Sequence, residues 1–135
     1  MAAPNPAAND RRLARRVAKL GPNAACAICG ERNLIALVLH GHHVGLEAND
    51  PIAVCVLCLN HHAIAQERLR QIGVIEWDPP ADNFIDRQVA MLRSEADFLR
   101  LLAESREQAA DAWEAFTRWL DGQDLDWRGW PEAEQ

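Results

Sequence analysis

Cysteine and histidine are missing from most of this 135-residue chain. The four cysteines and five histidines all lie between Cys26 and His62, so the other 98 residues have none. No apolar run approaches the roughly 20 residues that span a bilayer, and no secretory h-region follows the N-terminal arginines. These absences predict a cytoplasmic chain without a membrane partner, in which paired cysteines favour a metal over disulfides.

Charge is distributed unevenly along the chain, whose formal net charge is −6. Residues 1–20 carry five basic and one acidic side chain, whereas residues 81–135 carry six basic and thirteen acidic ones. The overall acidity argues against a general polyanion binder, but the basic N-terminal segment keeps nucleic acid open as a partner. Four arginines oppose an apolar helical stripe there, and they form either a solvated face or a set of phosphate contacts: Arg11, Arg12, Arg15 and Arg16.

The residue pattern predicts an α+β fold. Residues 1–8 are small and proline-rich and are expected to be disordered, and a helix follows over residues 9–20. Short apolar runs predict strands at 33–40 and 52–57, separated by a loop of turn-forming residues at 41–51. A further helix is expected from about Leu59 to Gly73.

Neither glycine nor proline occurs from Asp82 to Asp121, so this segment can form a long helix. Its apolar residues recur at 3–4 spacing, which predicts a face buried in a core or in an oligomer seam. Ser105 and Gln108 resemble a capping box, so one long helix and a helical hairpin both fit. We favour the hairpin or a homodimer through these helices, followed by a loosely ordered acidic tail over residues 122–135.

The cysteines form two C-x-x-C pairs, Cys26/Cys29 and Cys55/Cys58. Two sulfurs at this spacing on a tight turn can point at one tetrahedral ion. The simplest prediction is therefore a structural zinc site that uses all four cysteines.

The histidines are also paired. His42-His43 follows the first predicted strand, and His61-His62 opens the helix after the second. A strand pair packed on that helix would bring the two histidine pairs together.

The order and spacing of these residues resemble the HNH endonuclease family, which has the ββα-metal fold. The resemblance covers about residues 26–66 and implies an HNH-like zinc domain over residues 9–76 with a helical extension over 82–121. Its matching residues are Cys26-Ala-Ile-Cys29, His42-His43-Val44, Asn49-Asp50-Pro51 and Cys58-Leu59-Asn60-His61-His62.

The resemblance implies a metal-dependent endonuclease that hydrolyses phosphodiester bonds in DNA. In the family, one strand-end residue and one residue in the first helical turn bind a divalent cation such as Mg, Mn or another transition metal. These roles fall on His42 and His62, with His43 as general base, oriented through Asn60 or Asn49. Histidine suits a base because its unperturbed pKa of about 6.5 leaves it neutral near pH 7.

The resemblance also implies a different structural zinc site. The second knuckle of the family has the form C-x-x-C-H, and His61 stands here in place of the last cysteine. The ligands are then Cys26, Cys29, Cys58 and His61, and Cys55 is a mid-strand residue. A Cys₃His site is chemically well precedented, so both ligand sets stay open at this point.

Two residues depart from the family pattern. Gln66 stands where many members have a further histidine, and His40 occupies a strand position that is often acidic and is either a third ligand or strand surface. A non-catalytic zinc module that binds nucleic acid or protein is therefore the alternative function. A third interpretation is a regulator whose long acidic helical region mediates dimerisation or covers the site.

Overall fold

A computed structural model describes residues 6–47, 54–74, 83–123 and 126–129 of the chain. The chain consists of two compact units, Met1–Leu102 and Ala103–Gln135. None of the described helices is both long and apolar enough to cross a membrane. The elements follow in the order α1 (Pro6–Leu20), β1 (His42–His43), β2 (Val54–Cys55), α2 (Leu59–Gln71), α3 (Phe84–Asp121) and a 3₁₀ turn (Trp127–Gly129).

Helix α1 begins earlier than the sequence pattern predicts. Its first residue is Pro6, and proline is well suited to the first helical position because it has no N–H to satisfy there. The prediction of disorder is therefore wrong for residues 6–8, while residues 1–5 lie outside the described part of the chain. Gly21, at φ 90°, ends the helix, and its N–H donates to the Val17 carbonyl at 2.9 Å.

The two strands pair antiparallel in a register that places His42 opposite Cys55 and His43 opposite Val54. The predicted 52–57 strand is confirmed at Val54–Cys55, which form β2, but not at residues 56–57, which are not in a strand; residues 52–53 lie outside the described residues. His42 and His43, which were expected in a loop, therefore lie on a strand.

The strand predicted at 33–40 is wrong. Residues 34–36 form a turn instead. The Asn33 side chain accepts the Ile35 N–H at 3.1 Å, and the Asn33 carbonyl accepts the Ala36 N–H at 2.8 Å. Such local side-chain hydrogen bonds compete with strand pairing, and only Leu37 forms a bridge, to Cys58.

The core of the first unit lies between the first cysteine pair, α2 and the early part of α3. Ile28, Leu37 and Leu57 are almost completely buried at its centre, and Leu101 of α3 packs into the same cluster. The Val38 N–H donates to the Leu57 carbonyl at 2.8 Å. This packing fixes the chain that leads into α2, where the second half of the cysteine–histidine cluster lies.

The C-terminal segment of the chain forms one continuous helix, α3. The predicted hairpin is therefore wrong and the long-helix alternative is confirmed, because no second helix begins at Ser105. Asn83 caps the start of α3, where its Oδ1 accepts the Asp86 N–H at 2.8 Å.

Part of the predicted loose tail is ordered in the second unit. Asp121, the last residue of α3, accepts hydrogen bonds from Trp127 Nε1 at 2.8 Å and from Arg128 Nη1 at 2.6 Å. Both partners hydrogen-bond to the Asp121 carboxylate and lower its pKa, with the Arg128 hydrogen bond as the larger cause. The 3₁₀ turn is thereby anchored to the end of the helix, while residues 130–135 lie outside the described part.

Candidate metal centre

A tight turn presents the first two sulfurs of the centre. The Cys26 N–H donates to the Glu31 carbonyl and the Gly30 N–H donates to the Cys26 carbonyl, both at 2.9 Å. Gly30 has φ 74°, a left-handed conformation that glycine adopts without steric cost. The turn spans only three residues, so the side chains of Cys26 and Cys29 lie on the same side of it.

The start of α2 presents the other two ligands. Cys58 is the residue before the helix, and its carbonyl accepts the His62 N–H at 2.9 Å. Residues three apart at this point share one helix face, and the Cys58 Sγ lies 3.2 Å from the His61 Nδ1.

The four side chains converge into a Cys₃His cluster, whose ligand atoms all lie within 4.8 Å of one another. The Cys29 and Cys58 sulfurs are 3.9 Å apart, and the Cys26 Sγ is 3.6 Å from the His61 Nδ1. Tetrahedral zinc, with Zn–S of about 2.3 Å and Zn–N of about 2.1 Å, separates two sulfurs by roughly 3.8 Å and sulfur from nitrogen by roughly 3.6 Å. The cluster therefore fits a structural metal such as zinc.

The local electrostatics distinguish the sulfurs of the cluster. Burial alone would raise the pKa of Cys26, but hydrogen bonds from the backbone of Cys29, Cys58 and Ile28 outweigh it and lower that pKa. Burial raises the pKa of Cys29, with the neighbouring Cys26 adding to the effect. Since metals bind thiolates, the surroundings of Cys26 favour the bound form more than those of Cys29.

Cys55 lies outside the metal-sized cluster found among the described residues. It faces His42 across the sheet. Burial, followed by the charge on Cys26, raises its pKa to about 11, so the thiol is protonated at neutral pH. The structure thus brings together the Cys₃His set with His61 as fourth ligand, and not the four-cysteine set.

A second histidine group lies where β1 meets α2. The rings of His42 and His62 have centroids 5.6 Å apart and planes at 90°. A ring nitrogen that binds an ion at about 2.1 Å places the ion roughly 3.2 Å from the ring centroid, so the centroid spacing of 5.6 Å is within the range for one shared ion. Within the described ranges, no third Cys, His, Asp or Glu completes a metal-sized group with them.

The other predicted residues surround this pair without joining it. His43 is half-buried, and its Nδ1 is buried with no hydrogen-bond partner among the residues the structure describes. His40 is exposed before β1, Asn60 is exposed in the first turn of α2, and Gln66 lies one turn further along that helix. Asn49 falls outside the described residues.

Side chains of α3 cover His42, which is only 2% exposed. The Phe98 ring stacks on the His42 ring, with the ring centroids 5.7 Å apart and the ring planes at 26°. Ser94 Oγ donates to the Val44 carbonyl at 2.5 Å, and Asp97 pairs with Arg68 of α2 at 3.0 Å. The space these residues enclose beside His42 has no volume for a water molecule.

The sequence offers a helical cover only as the third interpretation and does not identify the residues that form it. Its only trace in the sequence is that Ser94 and Asp97, three residues apart, are polar residues between the apolar positions of α3. That spacing marks a shared helix face but does not reveal what the face contacts.

The basic helix α1 divides into an anchor and an exposed set. Arg16 Nη1 donates to the carbonyls of Leu34 and Leu37 at 2.6 and 2.7 Å, which ties α1 to the turn before β1. The exposed set consists of Arg11, Arg12 and Arg15. Together with Arg16 these residues line an open concavity of about 500 Å³.

Comparison with known proteins gives no relative for this chain. No family model, no curated protein and no solved structure matches it. The residues and their geometry are therefore the basis for assigning a function.

Proposed function

We propose that this chain is a zinc-stabilised endonuclease of the HNH type that hydrolyses phosphodiester bonds in DNA. The observation that carries the proposal is the proximity of the His42 and His62 rings, whose centroids are 5.6 Å apart. A strand residue and a residue in the first turn of the following helix meet there, next to His43. That is the combination the ββα-metal resemblance implies, and the Cys₃His cluster at the start of the same helix supports it.

Each histidine has its own role in this proposal. His43 accepts a proton from the water that attacks phosphorus, a task for which a neutral imidazole is suited near pH 7. His42 and His62 hold a divalent cation between β1 and α2. When bound, such a cation stabilises negative charge at the phosphorus and at the leaving oxygen.

DNA binding in this proposal depends on the exposed arginines of α1. Arg11, Arg12 and Arg15 extend into solvent beside the concavity, where guanidinium groups can form charge-assisted hydrogen bonds with phosphates. Because the chain carries a net charge of −6, we expect modest affinity that falls steeply with salt.

A non-catalytic nucleic-acid-binding or protein-binding module is a second candidate, favoured by the burial of His42. Its ring is covered by Phe98, and Gln66 occupies the helix position of a further ligand. In that case the zinc-stabilised fold presents the α1 arginines to a partner and cleaves no bond.

A plasmid-nicking assay at low salt tests the proposal with the full zinc-loaded chain and Mg²⁺, Mn²⁺ or other divalent ions. We expect the wild type to nick DNA and His43→Ala to lose nicking while it retains its zinc. The matched control is His40→Ala, which removes an exposed histidine outside the pair and should retain both.

The variant Phe98→Ala is assayed in parallel because it opens the space above His42. If neither the wild type nor Phe98→Ala cuts with any divalent ion, while both contain zinc and bind DNA, the second candidate is correct. Nicking that persists in His43→Ala would remove His43 from the role of base.

A further inference from the structure

The second unit has an exposed group of three rings on α3, Trp113, Phe116 and Trp119, which we call the aromatic triplet. Their side chains are 68%, 43% and 55% exposed. Trp113 meets Phe116 edge to face at 5.9 Å, and Phe116 stacks on Trp119 at 5.7 Å. A contiguous exposed apolar surface of this kind is a candidate interaction site.

Charge lies on the opposite side of the same helix. At 100° per residue, Glu107, Asp111 and Glu114 lie within about 40° of the direction opposite Phe116. The triplet is therefore an uncharged surface, although residues 103–135 carry three basic and nine acidic side chains. Two copies of this unit can meet through their triplets without placing like charges in contact.

The triplet is also symmetric about its centre. Trp113 precedes Phe116 by three residues and Trp119 follows it by three, so the two indoles flank Phe116 by about 60° on either side. When two such helices lie antiparallel, a two-fold axis at Phe116 places each Trp113 opposite the partner's Trp119. This is the self-complementary arrangement that a symmetric dimer requires.

We propose that two copies of this chain associate through the aromatic triplet, with their α3 helices antiparallel and Phe116 on the two-fold axis. Aromatic side chains bury about 150–250 Å² each, so the exposed fractions amount to roughly 330 Å² per copy. A standard interface buries about 800 Å² per partner. The triplet supplies roughly two fifths of that area, which is the size of a weak, reversible contact.

Sedimentation equilibrium of the full chain from about 1 to 300 μM tests the association and needs no enzymatic activity. We expect a monomer–dimer equilibrium in the wild type. Trp113→Glu and Trp119→Lys should each weaken it at least about 30-fold, the effect of losing a central aromatic residue. The control Glu107→Gln makes the same change in charge as Trp119→Lys on the opposite face and should stay within about 2-fold of the wild type.

Mixing the two variants tests the orientation. In an antiparallel dimer the new carboxylate faces the new ammonium at one end and Trp119 faces Trp113 at the other, so the mixture dimerises although each variant alone does not. Parallel helices would set each new charge against a tryptophan. A monomeric wild type at 300 μM, a weakened Glu107→Gln, or a mixture that stays monomeric overturns the proposal.

Discussion

The ion pair between Arg68 of α2 and Asp97 of α3 provides the sharpest test of how α3 is held over His42. Arg68 Nε donates to both Asp97 oxygens, at 3.0 and 3.3 Å, and its Nη2 donates to Oδ1 at 3.1 Å. The two side chains are 22% and 9% exposed. Ser94 and Phe98, on either side of Asp97, make the other contacts with β1 and the residue after it.

The size of the effect follows from this geometry. Exposed pairs contribute about 0.2–1 kcal/mol, whereas breaking a buried pair costs about 3–5 kcal/mol. A forked pair that keeps some solvent contact lies between these limits. We expect Asp97→Ala to lower the free energy of unfolding by about 2–3 kcal/mol, with a coupling energy to Arg68 of about 1.5–2.5 kcal/mol.

Urea unfolding of the zinc-loaded wild type, Asp97→Ala, Arg68→Ala and the double variant measures this coupling. With a slope of about 2 kcal/mol/M, Asp97→Ala should move the midpoint by roughly 1–1.5 M. Hydrogen exchange at the His42 and His43 amides should accelerate in the same variant, because α3 then opens more often.

The matched control is Glu67→Ala, which removes the exposed partner of Arg70 and should change stability by less than about 0.5 kcal/mol. A coupling energy between Arg68 and Asp97 below about 0.5 kcal/mol would refute the reasoning. The pair would then contribute no more than a solvated one, and α3 would be held by apolar packing and the Ser94 hydrogen bond.

Three further measurements test the zinc centre, the α1 anchor and Cys55. His61→Ala is expected to release zinc while Cys55→Ser retains one ion per chain, and metal analysis showing the reverse would make Cys55 the fourth ligand. Arg16→Met should cost about 2 kcal/mol in urea unfolding because two hydrogen bonds from a charged donor are lost, whereas Arg15→Met should cost less than about 0.5 kcal/mol; equal costs would contradict the anchor. With a pKa raised by burial from 9.0 to about 11, Cys55 should react with iodoacetamide at pH 8 about 100-fold more slowly than an ordinary thiol. Since the folded pKa exceeds the unfolded one, the stabilising contribution of the buried thiol is lost as pH rises from 9 to about 11; an alkylation rate that levels off near pH 9 would contradict its burial.

The zinc ligands can be predicted from sequence because their geometry is local. Cys26 and Cys29 share one turn, and Cys58 and His61 are three residues apart at a helix start, where that spacing places them on one face. From the sequence, only the HNH resemblance favours His61 over Cys55, because cysteine spacing alone favours the four-cysteine set; in the structure the strand register separates Cys55 from the cluster. That register sets Cys55 against His42, which cysteine spacing does not reveal.

The wrong predictions fall where polar side chains or distant contacts decide the structure. Residues 33–40 have the composition of a strand, but the hydrogen bonds of Asn33 close a turn there. The periodicity of α3 indicates a buried face without showing that Phe98 lies on His42. That contact depends on tertiary packing, which no local pattern contains.

The metal centre also acts as a chain cross-link. Cys29 and Cys58 are 29 positions apart, and both strands lie in the loop between them, so one ion removes the loop-closure entropy of the segment that carries His42 and His43. Cys29 is exposed, which leaves the ion open to chelation. We therefore expect the order of the histidine site to depend on a metal bound outside it: depleting the ion should disorganise β1 and β2 without any competitor entering the histidine site itself.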